Sequence, residues 1–425
     1  MHKPAASELA RHWDLDPGVV YLNHGSFGAC PREVLEAQRR YRDRMEREAV
    51  SFFCVELWDL LQQSRAALAG VVGGRSRDYV FLPNATTAVA TILDNVAQGV
   101  GLGRALGPGD ELLTTSHDYP ACKHNLWRTA ERTGAAMVVA PFPTPATHDT
   151  PISEGDVFDS IMLRVTERTK LVMLSHITSP SGVVLPIERI CAELNARGVL
   201  SLVDGAHGPG AVHFDLPSLG ASFYTSNCHK WLCTPKGVAL LWVRPDLQER
   251  FRPLVLSNFA FAGAGTHGRS RYALEFDYVG TDDYTPMCAV RDALETLPAI
   301  AGTDWAGIAA RNRALALRGR DVLIERLGLA KAYEDDLIGP LAMIELPRVA
   351  EADRERVASR PTAYSDGLQD ALLANHGIQV PIWRMGEPGA AFDGRRSIRL
   401  SAQLYNSGAQ YACLAGALEE ELEKE

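Results

Sequence analysis

Val199-Leu200-Ser201-Leu202-Val203-Asp204-Gly205-Ala206-His207 and, further on, Ala221-Ser222-Phe223-Tyr224-Thr225-Ser226-Asn227-Cys228-His229-Lys230-Trp231 decide the fold. Each begins as a β-type run and stops abruptly at residues able to do chemistry. A half-exposed strand alternates apolar with polar residues, whereas near-continuous apolar runs suit strands covered on both faces. Working outward, similar runs occur at Tyr79–Leu82, Glu111–Thr115, Ala136–Ala140, Leu171–His176 and Val238–Val243, which makes seven strands with Val199–Val203 and Ala221–Ser226. Helical stretches such as Thr87–Val96, Asn125–Thr133 and Glu188–Arg197 lie between several of them. That alternation predicts an α/β fold with a mostly parallel, doubly wound sheet. A short loop with Pro235 and Gly237 joins the last two runs and permits an antiparallel pair there.

Beyond about residue 290 the helices lengthen, as in Arg311–Leu327 and Thr362–His376. Extended pieces at Leu341–Leu346 and Ile398–Leu400 complete a smaller α+β lobe. The expected division is an entry segment (1–30) against the small lobe, a large lobe (31–290) and the small lobe itself (291–425). A chain of 425 residues suits two lobes around a cleft. The charge-rich run Tyr41–Glu48 reads as a solvated helix face. The net charge of −9 and the lack of a basic stripe argue against a nucleic-acid partner. No apolar run has membrane-spanning length and the first residues have no apolar signal core, so a cytoplasmic setting is expected. Eight cysteines without a Cys-x-x-Cys pair suggest neither a disulfide framework nor a zinc knuckle.

In open α/β sheets ligands sit beyond the carboxyl ends of the strands. Asp204 and Lys230 end neighbouring runs and should face one crevice. The chain has seven lysines against 36 arginines, so few amines are available as nucleophiles, and a guanidinium cannot replace them. A carboxylate and an amine so placed suit pyridoxal phosphate, whose aldehyde forms a Schiff base with lysine. Its ring nitrogen must stay protonated beside an acid. A surface ion pair is the plainer explanation, but it does not account for two successive strand ends. Pro83-Asn84-Ala85-Thr86-Thr87 opens an apolar helix after a strand and offers amides and hydroxyls to a phosphate, or simple capping by Asn84 or Thr86. Other patterns are weak. Gly263–Gly268 matches Gly-x-Gly-x-x-Gly in letters only and reads as a loop. No Gly-x-Ser-x-Gly elbow and no metal-ligand spacing occur. Cys228 and His229 point to opposite faces of a strand.

The segments Tyr21–Gly28, Ser175–Gly182, Val203–Gly208 and Cys228–Trp231 together resemble the class V aminotransferase family of fold-type I pyridoxal phosphate enzymes, most of all its isopenicillin N epimerase branch. The resemblance implies Lys230 as the Schiff-base lysine, Asp204 as the pyridinium partner and His207 on the phenolic oxygen. It implies Ala85, Thr86, Thr87, Asn227 and His229 around the phosphate, Tyr119 on the ring and Ser179 nearby. Asn23, His24, Gly25 and Arg399 would meet the substrate, Arg399 through its α-carboxylate. Thr281 would reach the neighbouring subunit's phosphate, which implies a homodimer. Unlike the cysteine desulfurase branch, the interval His376–Ser397 has no cysteine, and Ser179 replaces a usual asparagine. The expected activity is an epimerase acting at the α-carbon of an amino-acid-bearing compound. A carbon–sulfur lyase is the runner-up and an aminotransferase a further alternative. An epimerase needs an acid on the second face, for which Tyr119, His24 and His117 are the candidates. A sensor domain of a transcription regulator would need an added DNA-binding segment, for which the residues before Val20 are too few.

Overall fold

The computed structural model describes residues 4–145, 148, 150–260, 269–385 and 391–425. After a short pairing strand β1 (Val20–Tyr21), the large lobe holds β2 (Tyr79–Leu82), β3 (Glu111–Thr115), β4 (Ala136–Ala140), β5 (Thr169–Ser175), β6 (Leu200–Asp204), β7 (Phe223–Asn227) and β8 (Ala239–Val243). They form one sheet in the order β2-β8-β7-β6-β5-β3-β4. Strands β3 to β7 are parallel, while β8 runs antiparallel to both β7 and β2. This is the α/β, mostly parallel architecture expected from the strand pattern, and the fold-type I arrangement that the family resemblance implies.

Continuous apolar runs work here because both faces are covered. Leu113, Val172, Leu174, Val203, Tyr224 and Leu240 join one buried cluster, while their neighbours Leu112, Leu171, Met173, Leu202, Phe223 and Leu241 join another. β4 departs from this. As the edge strand it has one neighbour, and its Val139 remains 46% exposed. β7 starts two residues later than the apolar run, because Ser222 and Ser201 bond each other's backbone amides through their hydroxyls.

In the small lobe β9 (Leu341–Glu345), β11 (Ile382–Arg384) and β12 (Arg396–Ser401) form an antiparallel sheet with β12 at its centre. The short β10 (Ile378–Gln379) pairs with β1, which ties the entry segment to this lobe. The helix Trp305–Leu327 begins earlier than its apolar pattern because the Asp304 side chain caps it. The helix Gly367–His376 begins later than the run after Pro361, since Asp366 supplies the cap. No helix among the described residues is long and apolar enough to cross a membrane. The Gly263–Gly268 stretch lies outside the described residues.

Candidate active site

The ladder places the chemistry. Ser175 pairs with Asp204 and Asp204 with Thr225, so the carboxyl ends of β5, β6 and β7 lie side by side. Beyond them opens a cleft of about 670 Å³. Of the residues singled out from the sequence, it gathers Ala85, Thr86, Tyr119, Ser179, Asp204, His207, Asn227, His229 and Lys230. The 26-residue spacing of Asp204 and Lys230 is thus converted into proximity by one β-strand crossover.

Lys230 is buried, and desolvation, offset in part by Asp204, brings its amine down to about 8. Its Nζ lies 3.0 Å from His207 Nε2, and Trp231 Nε1 donates to His207 Nδ1 at 3.2 Å. His207 is held well below the ordinary histidine value by burial first and then by Lys230 and Arg399, so it is neutral. Asp204 accepts from the Cys122 thiol at 3.2 Å and from the Ala206 amide at 3.0 Å. Burial raises its carboxyl, and no cation forms an ion pair with it among the described residues.

At the other end the helix Ala85–Ala97 points its start into the cleft. Asn84 caps it through Thr87, whose amide and hydroxyl both reach Asn84 Oδ1. Thr87 itself is not among the residues that line the cleft. The Asn227 carboxamide accepts from the Ala85 amide at 2.9 Å and locks β7 to that helix start. His229 Nδ1 is buried with no hydrogen-bond partner among the described residues.

Arg399, on the central strand β12, is 1% exposed and forms no ion pair among the described residues. Its guanidinium donates to the Ser179 carbonyl, approaches the Ser26 hydroxyl at 3.4 Å and lies 4.8 Å from the Trp383 ring centre. Burial lowers it to about 9. Gly25 flanks it, and a β-carbon there would sit 3.3 Å from Arg399 Nη2. Asn23 accepts from the Ser26 hydroxyl at 2.6 Å rather than lining the cleft.

Two histidines lie elsewhere than a second-face acid requires. His24 is fully buried, with Nδ1 on the Tyr405 hydroxyl (2.8 Å) and Nε2 on the Lys230 carbonyl (2.9 Å). His117 bonds the Ser181 hydroxyl and stacks on Phe142. Both are held neutral by burial, at about 3 and about 4. Thr281 lies outside the cleft of its own chain, bonded to the Tyr278 hydroxyl. Sequence reasoning missed Cys122, Ser26 and Asp118. Asp118 accepts from Thr114, Thr115 and Ser175, which pins the ends of β3 and β5 together beside Tyr119.

The aminotransferase class-V family model matches residues 20–334. The chain belongs to that family. A putative L-cysteine desulfhydrase of Oryza sativa subsp. japonica is 30% identical over 95% of this chain and 83% of its own. An isopenicillin N epimerase of Amycolatopsis lactamdurans is 30% identical over 96% of both. A cysteine desulfurase structure from Escherichia coli superposes with a TM-score of 0.74 at 21% identity, covering 97% of each chain, which shows the shared fold. The chain is a pyridoxal phosphate enzyme of class V.

The residues fit that cofactor. A desolvated amine and a buried carboxylate that forms no ion pair among the described residues face one cleft. The Thr86 hydroxyl stands at a helix start, where amides and dipole favour an anion. The orphaned Nδ1 of His229 gives that anion a further partner.

Proposed function

We propose that this enzyme removes the α-proton of an L-amino acid and expels a sulfur leaving group from its β-carbon, as a carbon–sulfur lyase. The observation that carries this reading is the supply of acids around the cleft: His24 and His117 are both turned away and bonded elsewhere. An epimerase must return a proton to the opposite face, whereas β-elimination runs from one. This reverses the order expected from the sequence, where three second-face candidates stood open.

Pyridoxal phosphate, when bound, supplies an electron sink that weakens the bonds at the substrate α-carbon. Thr86, His229, Asn227 and the helix start would hold its phosphate, Asp204 its ring nitrogen, His207 its phenolic oxygen and Tyr119 its ring. Arg399 takes the α-carboxylate, because a buried guanidinium without a carboxylate calls for one from the ligand. Lys230, with a lowered amine, accepts the α-proton on Nζ at neutral to mildly basic pH. The ammonium so formed returns that proton to the departing sulfur. For cysteine the Cα–H and Cβ–S bonds break, and water completes the balance to pyruvate, ammonia and hydrogen sulfide.

The epimerase reading keeps one observation of its own. Tyr119 lines the cleft with its side chain 45% exposed, free to carry a hydroxyl proton to the other face. Incubation with L-cysteine, and separately with isopenicillin N, in deuterated water separates the two. Pyruvate, ammonia and sulfide from cysteine are expected. Inversion of isopenicillin N with one deuterium at the α-carbon, and no keto acid from either compound, would overturn the lyase.

We also propose a homodimer in which Thr281 completes the partner's phosphate site. Its support is the exposed position of Thr281 next to Asp282, whose groove also holds the apolar side chains of Leu254 and Val255, each about half exposed. Thr281→Ala should speed cofactor loss on dialysis by about tenfold or more, the effect of one hydrogen bond to a charged group. Unchanged retention, with a fully active monomer at high dilution, would contradict it.

A further inference from the structure

We propose that Trp231 is a positioning residue that fixes the His207 proton on Nε2 and thereby favours the free-amine form of Lys230. The inference rests on Lys230 as the reactive lysine, but its geometry stands in the unloaded protein. An indole N–H only donates, so His207 Nδ1, 3.2 Å from Trp231 Nε1, must present a lone pair. A neutral imidazole that accepts at Nδ1 carries its single proton on Nε2. That Nε2–H lies 3.0 Å from Lys230 Nζ and needs an acceptor, which only the uncharged amine offers. Donation therefore runs one way, from Trp231 through His207 to Lys230.

The surroundings support the same direction. His207 faces Lys230, Arg399, His24 and His229, so an added imidazolium charge is disfavoured. Lys230 faces Asp204 on β6, Arg399 on β12 and Cys122 on the helix Pro120–Thr133. Of these, Asp204 and Cys122 favour the ammonium, while Arg399 and the hydrogen from His207 oppose it. The indole cannot swing aside. Trp231 is 1% exposed, packs with Ile177, Ala211 and Leu341, and lies against the His24 ring at 5.0 Å. Without the indole, His207 is free to move its proton to Nδ1 and accept from a Lys230 ammonium instead, which raises the lysine.

The test uses the cofactor-free protein with ¹⁵N-labelled histidine, the His207 signals being identified by their loss in His207→Gln. The wild type should show a protonated Nε2 and a bare Nδ1, and W231F a proton on Nδ1 or a mixture. In parallel, the rate at which the apoprotein captures pyridoxal is followed against pH. W231F should move the midpoint above the wild-type value of about 8 and slow capture at pH 7. Each unit of that move is worth roughly tenfold in the free-amine fraction. A wild-type proton on Nδ1 sinks the proposal even where W231F fails to fold. So does a folded W231F whose tautomer and midpoint both match the wild type, whatever its turnover. None of these readouts depends on whether the enzyme is a lyase or an epimerase.

Discussion

Lys230→Ala should lower turnover by about 10⁴-fold or more, since it removes the group proposed both to anchor the cofactor and to move the proton. The fold should survive. The side chain is buried at a cleft rather than in an apolar cluster, and its desolvated amine contributes cost rather than stability. Borohydride reduction of the wild type should fix the cofactor to one lysine, found at Lys230 by peptide mapping, and the variant should take no label. Lys236 is the natural impostor, being six residues on. Its Nζ, however, donates to the Gly28 carbonyl at 3.1 Å, and it does not line the cleft. Because burial lowers Lys230, capture of the cofactor by the wild-type apoprotein should accelerate as pH rises towards about 8 and level off above it. Label on Lys236, or turnover retained in Lys230→Ala, would remove Lys230 from the chemistry.

Asp204 and Lys230 could be paired from sequence because a parallel sheet leaves little freedom. Adjacent parallel strands present their carboxyl ends at the same edge of the sheet, so residues that end them face one crevice. Asn227 and the Ala85–Thr86 helix start were legible for the same reason. The histidines were not. His24 has its ring settled by Tyr405, 381 residues away, and by the carbonyl of Lys230. Such distant partners leave no periodic trace. Nothing in the spacing of Gly28 announced that a β-carbon there would lie 1.9 Å from the His229 carbonyl, or that its φ is +69°. That close approach presses the entry segment onto the lysine turn. It explains why Tyr21–Gly28 carried so much of the family likeness without a readable chemical role. Cys122 was hidden differently. A thiol on an amphipathic helix reads as core, and only the three-dimensional placement turns it into a donor to Asp204.

Asp204→Asn should separate catalysis from stability in opposite directions. The carboxamide keeps the shape and still accepts from the Ala206 amide, but the negative charge is gone. Loss of the preorganised charge proposed for the cofactor's ring nitrogen should cost about 10²–10³-fold in kcat, the effect of deleting one well-placed electrostatic group. In the cofactor-free protein the same carboxylate is a burden. Burial raises its folded pKa above the unfolded value. A group raised in this way contributes stability that is present below its unfolded pKa and lost as pH climbs through the folded one. At neutral pH the wild-type apoprotein therefore folds around a costly buried charge that Lys230 offsets only in part. Asp204→Asn should raise the apoprotein Tm at pH 7 by a few degrees, roughly 1 kcal/mol in a chain of this size. The gain should shrink as pH falls into the carboxylate range, because the raised wild-type carboxyl takes up a proton before an ordinary aspartate does. The bound cofactor should remove the gain as well, because its protonated ring then partners the wild-type charge. A lower apoprotein Tm together with wild-type turnover would make Asp204 a structural residue, and the strand-end pair would lose its acid.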